Sequence, residues 1–435
     1  MSRHRFRIAL ALFTLIIFSS TASAQRAAAT PPAPDPAKPQ IRAITAFVNL
    51  DRSKYQQQIA DAMKLLKYAR TLLESRGYVV QGVRIATQPF SEYTKGLSTE
   101  QTVEFFRNYE ALADQQKFAA SIGPAMLNAN DPDSQADTLA EILAGTKSLN
   151  GSLVVAADDG VRWRAVGAAA RVIKRLEDTD RSQANFHFAA IAMVGPLTPF
   201  FPAAYVSGFG HQFAIALESA NTVNAVFKDS QDLNAARQKL TDTLGKTAFD
   251  IESLAQRIDR DTGWAYVGID LSPAPAKDVS IGAALEELTQ QPFGSSGTLT
   301  AAATVTAAIR DIHVKRTGYN GLMLPILEDT RLAQRWSEGN VSLDALLSYS
   351  AVCGTGLDTI PLPGDTTEQQ LDLIIGDMAS LAFKWKKPLS ARLLPVAIDR
   401  FDGERDAERL LTRVLQLALK EFVGYRDEVD ELQPV

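Results

Sequence analysis

One cysteine, Cys353, stands in 435 residues, so no internal disulfide braces the fold and a chain of this size must rely on its core. Histidine is nearly as scarce, with four residues and no His-x-x-x-His spacing, which leaves a zinc site of that kind without support. The chain has no Gly-x-Ser-x-Gly elbow, and its Gly294-Ser-Ser-Gly297 turn lacks the lysine of a P-loop. Beyond the amino terminus no apolar run reaches the roughly 20 residues that cross a bilayer. Positive charge is not in excess either: 45 Lys and Arg face 50 Asp and Glu, which argues against nucleic acid or an anionic membrane surface as partner. What the chain does have is apolar side chains, 46% of the total, enough for a large core.

The amino terminus has the three parts of a cleavable secretory signal. Residues 1–7 carry three arginines and no acid, residues 8–18 are apolar apart from Thr14, and Ala22-Ser23-Ala24 supplies small residues at the cleavage spacing. The expectation is a signal peptide at 1–24, cut between Ala24 and Gln25, and an exported protein, periplasmic or secreted, with no stable membrane anchor afterwards. No cysteine stands at the cleavage position after the apolar run, so a lipoprotein anchor is not expected. Removing the leader widens the excess of acids over bases from five to eight. Residues 25–40, rich in alanine and proline, read as an extended linker.

From residue 41 the pattern becomes that of an α/β domain. Residues 41–50 read as a buried strand, and residues 55–75 place Ile59, Met63, Leu66, Ala69 and Leu73 on one helical face before Gly77. Residues 79–86 read as a second strand, which makes the strand–helix–strand opening of a parallel sheet. Further strands are expected at 152–156, 186–193, 265–271, 321–324 and 389–395. Helices are expected at 165–176, 232–260, 299–313, 343–350 and 368–385, and 213–220 reads as either element. No repeat or internal linker divides this stretch, so one domain spans 41–396, with a helical tail at 397–435.

Several segments together resemble a known family: Thr198-Pro-Phe-Phe-Pro-Ala-Ala-Tyr205, Gly268-Ile-Asp-Leu-Ser272, Gly318-Tyr-Asn-Gly-Leu-Met-Leu-Pro325 with Glu328-Asp329, Tyr349-Ser-Ala-Val-Cys-Gly-Thr-Gly-Leu-Asp358, Pro361-Leu-Pro-Gly-Asp365 and Lys387-Pro-Leu-Ser-Ala-Arg392. They look like domain of unknown function 711, also called uncharacterised protein family 0210. The resemblance implies a single large barrel of mainly parallel strands ringed by helices, like that of pyruvate formate-lyase and ribonucleotide reductase, and brings no reaction with it. In those relatives a cysteine sits on a loop threaded into the barrel, and Cys353 is the residue here that would take that place. A glycyl-radical motif is only echoed by Val423-Gly424-Tyr425, and radical chemistry is not expected of an exported chain.

Residue by residue, Cys353 beside Gly354, Thr355 and Gly356 could be a nucleophile near backbone amides that hold an anion; the same thiol also fits a packed core. His211, in a glycine-containing loop, could serve as a general base, whereas His187 in an apolar strand reads as a core histidine and His313 as a helix end. Glu328 and Asp329, after residues 322–327, and Asp270, after residues 264–271, sit where strand ends carry ligands; helix starts also attract such acids. Asp358 and Asp365 flank a turn and could bind a polar ligand or a hard cation, or cap the turn. Arg392 could clamp a carboxylate or pair with one of these acids. The expectation is that Cys353, His211, Glu328 and Asp358 act catalytically, with Gly354, Thr355, Gly356, Asp270, Asp329, Asp365 and Arg392 binding ligand, all converging at one end of a barrel. A small polar substrate handled by acid–base or thiol chemistry fits this set; the alternative is a binding protein for a small molecule or cation that turns nothing over. No cofactor, metal or oligomeric state is specified by these residues.

Overall fold

The structure is a computed structural model that describes residues 38–179, 184–230, 232–275 and 279–396. The proposed leader 1–24, the linker up to residue 37 and the tail 397–435 lie outside the described residues. Residues 38–40 already belong to the fold: Lys38 lies 3.6 Å over the Tyr78 ring, and Gln40 opens the first strand.

Ten strands form one sheet: β1 Gln40–Val48, β2 Val83–Thr87, β3 Ala119–Ala125, β4 Asn150–Ala157, β5 Gly160–Val161, β6 Phe188–Ala192, β7 Gln212–Glu218, β8 Ala265–Asp270, β9 Gly356–Pro363 and β10 Leu389–Val396. Their order is β8-β7-β1-β2-β3-β4-β6-β10-β9, with β5 hairpinned on β4. The central five, β1, β2, β3, β4 and β6, are parallel, as expected where helices cover the crossovers. The pairs β7-β8 and β10-β9 are each parallel within themselves but run against the centre, at the β1-β7 and β6-β10 seams.

The outer strands β8 and β9 do not pair with each other. A single parallel bridge joins Ile269 of β8 to Arg316, and another joins Pro325 to Asp358 of β9, so the segment between spans the gap without a continuous ladder. The strand expected at residues 321–324 therefore does not form. Gly318 and Asn320 take positive φ, and Gly321 is pressed backbone to backbone against Gly354, whose N–H donates to the Leu322 carbonyl at 2.6 Å. Other corrections are smaller. Residues 233–262 form one 30-residue helix, capped by the Asp232 carboxylate and by Gly263 in the left-handed region. The helices Thr99–Gln116 and Ser134–Gly145 and the strands β3 and β9 lie outside the expected elements.

Alternation along each strand makes two faces. Outward residues such as Ile41, Ile44 and Ala46 on β1 join a large core with the surrounding helices. The inner face carries Phe47, Val154 and Ile191 among many small or slender residues: Ala43 and Thr45 on β1, Ala86 on β2, Ser121 on β3, Ser152 on β4, Ala189 on β6, Ala214 and Ala216 on β7. They are small because a chain segment lies inside. Residues 195–206 run along the inner face, with Thr45 Oγ1 donating to the Pro199 carbonyl, Ser121 Oγ to the Ala204 carbonyl and Val206 N–H to the Thr87 carbonyl. Each such bond contributes about 1 kcal/mol net and fixes where the segment sits. Phe200, Ala203 and Tyr205 then pack with Ala43, Val154, Ile191, Ala216, Tyr319 and Met323. Residues of β1, β4, β6 and β7 meet in one inner cluster, so the sheet curls around the segment as a barrel held together by its filling.

The Gly321–Gly354 contact gives a direct test. A Cβ on Gly354 would stand 2.6 Å from the Gly321 carbonyl oxygen, whereas one on Gly195 would meet nothing within 4 Å. Gly354→Ala is expected to lose about 3 kcal/mol or more in urea denaturation, while Gly195→Ala stays within about 0.5 kcal/mol of the parent.

Candidate functional site

On β10 the outward Ala391 joins the outer core, and its neighbour Arg392 points into the barrel, 7% exposed. A buried guanidinium requires acceptors, and three elements supply them. Nη1 donates to Asp358 Oδ1 on the adjacent strand β9 at 2.9 Å and to Glu328 Oε1 at 3.0 Å, while Nη2 donates to the Phe186 carbonyl at 3.1 Å. The guanidinium also lies 4.3 Å from the centre of the Phe186 ring. Nε alone has no partner, a buried donor that costs about 1–3 kcal/mol when left so.

Glu328 ends a short 3-10 turn, Ile326–Glu328, and its second oxygen meets Arg42 Nη2 at 3.4 Å. Arg42, near the start of β1, donates through Nη1 to Glu218 at 3.0 Å and to Gln81 at 3.1 Å, and Gln81 in turn donates to Glu218 at 2.6 Å. One chain of contacts thus runs Asp358–Arg392–Glu328–Arg42–Glu218, at the end of the barrel where β1 begins and β7 finishes. It reaches solvent through Glu328 and Arg42, whose side chains are 15% and 17% exposed.

Burial sets the electrostatics. It raises the Asp358 carboxyl above its ordinary range, against the pull of Arg392 and with the help of repulsion from Glu328. Burial also works against the Arg392 charge, but Asp358 and Glu328 outweigh it and the guanidinium is held more firmly protonated. His187, beside Asn150 at 3.4 Å, is pushed down to about 4 by burial and then by Arg392, so near neutral pH it is a neutral core histidine.

The residues expected to converge therefore divide. Arg392, Glu328 and Asp358 meet. Asp270 is fully buried and accepts from Ser272 N–H, Ser272 Oγ, Asn320 N–H and Tyr319 N–H, which clips the segment after residue 318 to β8. Asp329 accepts from Ser280 Oγ and from the amides of Ile281, Gly282, Arg331 and Leu332, capping the helices Ile281–Thr289 and Thr330–Ser337 at once. Asp365 is exposed in the turn after β9. In place of ligand contacts, Asp270 and Asp329 have backbone amides.

Cys353 and His211 lie at the amino ends of β9 and β7. Both strands run against the central five, so these residues are at the barrel end opposite Glu218. His211 is exposed and stacks on Trp264 with ring centres 4.0 Å apart. Cys353 is 2% exposed and belongs to the outer core; burial pushes its thiol up to about 12, opposed by Lys387. Burial in turn pushes Lys387 down to about 8, and its ammonium donates to the Ser350 carbonyl at 2.8 Å. The neighbouring glycines admit backbone rather than an anion: a Cβ on Gly356 would stand 2.5 Å from the Ser390 carbonyl oxygen, and the Thr355 carbonyl accepts Ser390 N–H at 2.7 Å. The segment inside the barrel is 195–206, not the cysteine loop.

Arg42, Glu218 and Gln81 were not among the expected site residues. The signal available for Arg42 and Glu218 is a lone charge at the edge of an apolar strand, the same signal that singles out Arg392. Among the described residues no group of three or more His, Cys, Asp or Glu is arranged to hold a metal ion, and no helix is long and apolar enough to cross a membrane.

Fold and site define a mixed α/β protein of barrel type with an ionic chain inside one end. The chain belongs to the family described as Uncharacterised ACR (DUF711), whose match covers residues 35–405. Among its relatives is the UPF0210 protein of Pyrobaculum islandicum, 30% identical over 412 residues, covering 88% of this chain and 90% of that protein. The UPF0210 protein of Pyrobaculum aerophilum is 31% identical over 387 residues, covering 82% and 85%. Among solved structures, the anaerobic ribonucleotide reductase of Thermotoga maritima in complex with dATP and CTP aligns over 82% of this chain and 75% of that one, with a TM-score of 0.38 and 9% identity, a likeness too faint to carry functional meaning.

The burial of Cys353 is open to direct measurement. Iodoacetamide at pH 8 is expected to label the native protein at least a hundredfold more slowly than the urea-unfolded chain. Fast native labelling with a midpoint below about 8.5 would instead mark an activated thiolate.

Proposed function

We propose that the mature chain is exported and that the barrel end formed by Arg42, Glu218, Glu328, Asp358 and Arg392 binds a small polar molecule and acts on it by acid–base chemistry. The observation that carries this reading is the sharing of one Arg392 nitrogen by two carboxyl groups, with burial driving the Asp358 proton affinity up. A carboxyl whose proton affinity is raised beside an ion-paired carboxylate offers an acid and a base in one place. Asp358 is the proton donor, Glu328 the acceptor nearer solvent, and Arg392 holds both and offsets negative charge that develops between them. The export part rests on the charged, apolar and small-residue pattern of the first 24 residues.

Thiol chemistry is set aside because Cys353 is buried at the other end of the barrel, with its thiol pushed up to about 12. A binding protein without turnover is the second reading, favoured by the pairing of all three carboxylates of the chain with arginine.

Asp358 distinguishes them through its titration. A carboxyl raised in the folded state binds its proton more tightly there than when unfolded. It therefore contributes stability at low pH that is lost as pH climbs from about 4 through the folded midpoint. Carbon-13 NMR of the aspartate carboxyls is expected to show Asp358 titrating above about 4. Asp358→Asn, which has no proton to lose, is expected to flatten the fall in stability by about 1.4 kcal/mol for each pH unit by which that midpoint exceeds 4. An Asp358 that titrates at its ordinary value would remove the acid and leave binding alone.

A further inference from the structure

Two large apolar side chains share one patch on the outer flank of the barrel. Trp163 opens the helix Trp163–Glu177, Leu373 stands on the second turn of the helix Glu368–Trp385, and each is 63% exposed. Gly376 brings them together: a Cβ there would stand 2.9 Å from Trp163 Cζ3, and Gly376 follows Leu373 by one helical turn. Scattered exposed apolar residues need no partner, but a tryptophan and a leucine in neighbouring positions make a surface that calls for a cover. Glu368, Asp372 and Asp377 on the same helix give the patch a negative surround.

The chain itself offers an occupant. Strand β10 ends at Val396, paired with Pro363, and Pro363 is five residues before the helix Glu368–Trp385 begins. The chain therefore leaves the sheet beside the start of that helix, and Leu373 is about 8 Å further along its axis. Thirty-nine residues follow Val396, and in them Leu411, Leu415, Ala418, Phe422, Tyr425 and Val429 recur at alternating spacings of four and three, an apolar stripe of helical period. Residues 409–420 carry Arg409, Arg413 and Lys420 and no acid, the opposite sign to the patch. A connection through residues 397–406 reaches up to about 33 Å. Such a tether holds the segment at an effective concentration of about millimolar, which favours it over a second copy of the chain.

We propose that this segment forms a helix, centred on residues 409–420, whose apolar stripe covers Trp163 and Leu373 of the same chain. Burial of apolar side chains on both partners supplies the attraction. The positive charge of the segment complements Glu368, Asp372 and Asp377 around the patch and steers it there. Val396 stands four residues beyond Arg392 on β10, so the contact also pins, from outside, the end of the strand that holds Arg392. Nothing in this contact depends on proton transfer at Asp358.

The experiment uses the chain from Gln25 to Val435 carrying Leu373→Cys and one further substitution: Leu411→Cys, Leu415→Cys or Ala418→Cys on the stripe, or Arg409→Cys or Gln416→Cys on the other side of the same helical pattern. Each variant is oxidised with copper phenanthroline at low protein concentration, with the buried Cys353 common to all. A disulfide within one chain is expected for at least one stripe position, forming at least tenfold faster than at Arg409→Cys or Gln416→Cys. Equal rates at all five positions would mean an undocked tether and overturn the proposal. So would the lack of any cross-link, or links formed only between two chains, which would give the patch to a second copy. A second readout needs no added cysteine: acrylamide quenching of Trp163, taken as the difference between the parent and Trp163→Phe. It is expected to be at least twofold stronger when Leu411→Asp and Leu415→Asp are combined, and quenching that stays the same overturns the docking.

Discussion

A buried guanidinium cannot remain unpaired, and the position of Arg392 inside the barrel dictates what surrounds it. It draws in Asp358 from the neighbouring strand and Glu328 from the segment that spans the open side of the sheet. Through Glu328 the pairing continues to Arg42 at the start of β1 and Glu218 at the end of β7. Backbone hydrogen bonds do not join β8 to β9, and this ionic chain ties the covering segment to β10 on one side and to β1 on the other. Removing one member of such a buried pair typically costs 3–5 kcal/mol, because the partner is left charged and dry. Stability and the proposed acid–base chemistry therefore rest on the same atoms.

The inside of the barrel is filled by the chain itself. Residues 195–206 occupy the inside, and the small inner residues of β1, β3, β6 and β7 are complementary to them. The charges gather at the end where β1 begins and β7 finishes. The opposite end has His211 stacked on Trp264 and Cys353 sealed into the outer core, and neither contributes to the ionic chain.

The periodic elements were legible in the sequence: β1 and the helix Tyr55–Glu74 follow from alternation and from a 3.6-residue apolar stripe. β3 was not, because Ala-Ala-Ser-Ile-Gly-Pro-Ala has Ile122 as its one branched residue and no alternation, and takes its strand form from its neighbours on both sides. β9 was hidden by Gly356, Pro361 and Pro363, which read as a loop until β10 is beside them. Of the site, Arg392, Asp358 and Glu328 could be singled out as charges next to apolar runs. Asp270 and Asp329 carry the same local signal, and only three-dimensional contact shows that amides satisfy them. The pairing of Arg42 with Glu218 and Glu328 spans 176 and 286 residues of sequence, a separation at which no motif operates. Gly354 and Gly356 were read as an anion cradle because close approach of backbone to backbone leaves the same mark on a sequence as close approach of backbone to ligand.

The central claim is that Asp358 and Glu328 act as one unit through Arg392. The most direct test is a double-mutant cycle on folding stability at neutral pH with Asp358→Asn, Glu328→Gln and the pair. The shared guanidinium predicts a coupling of about 1 kcal/mol or more between the two sites. Effects that add to within about 0.3 kcal/mol would mean that the two carboxyl groups are independent and that the ionic chain is not a unit.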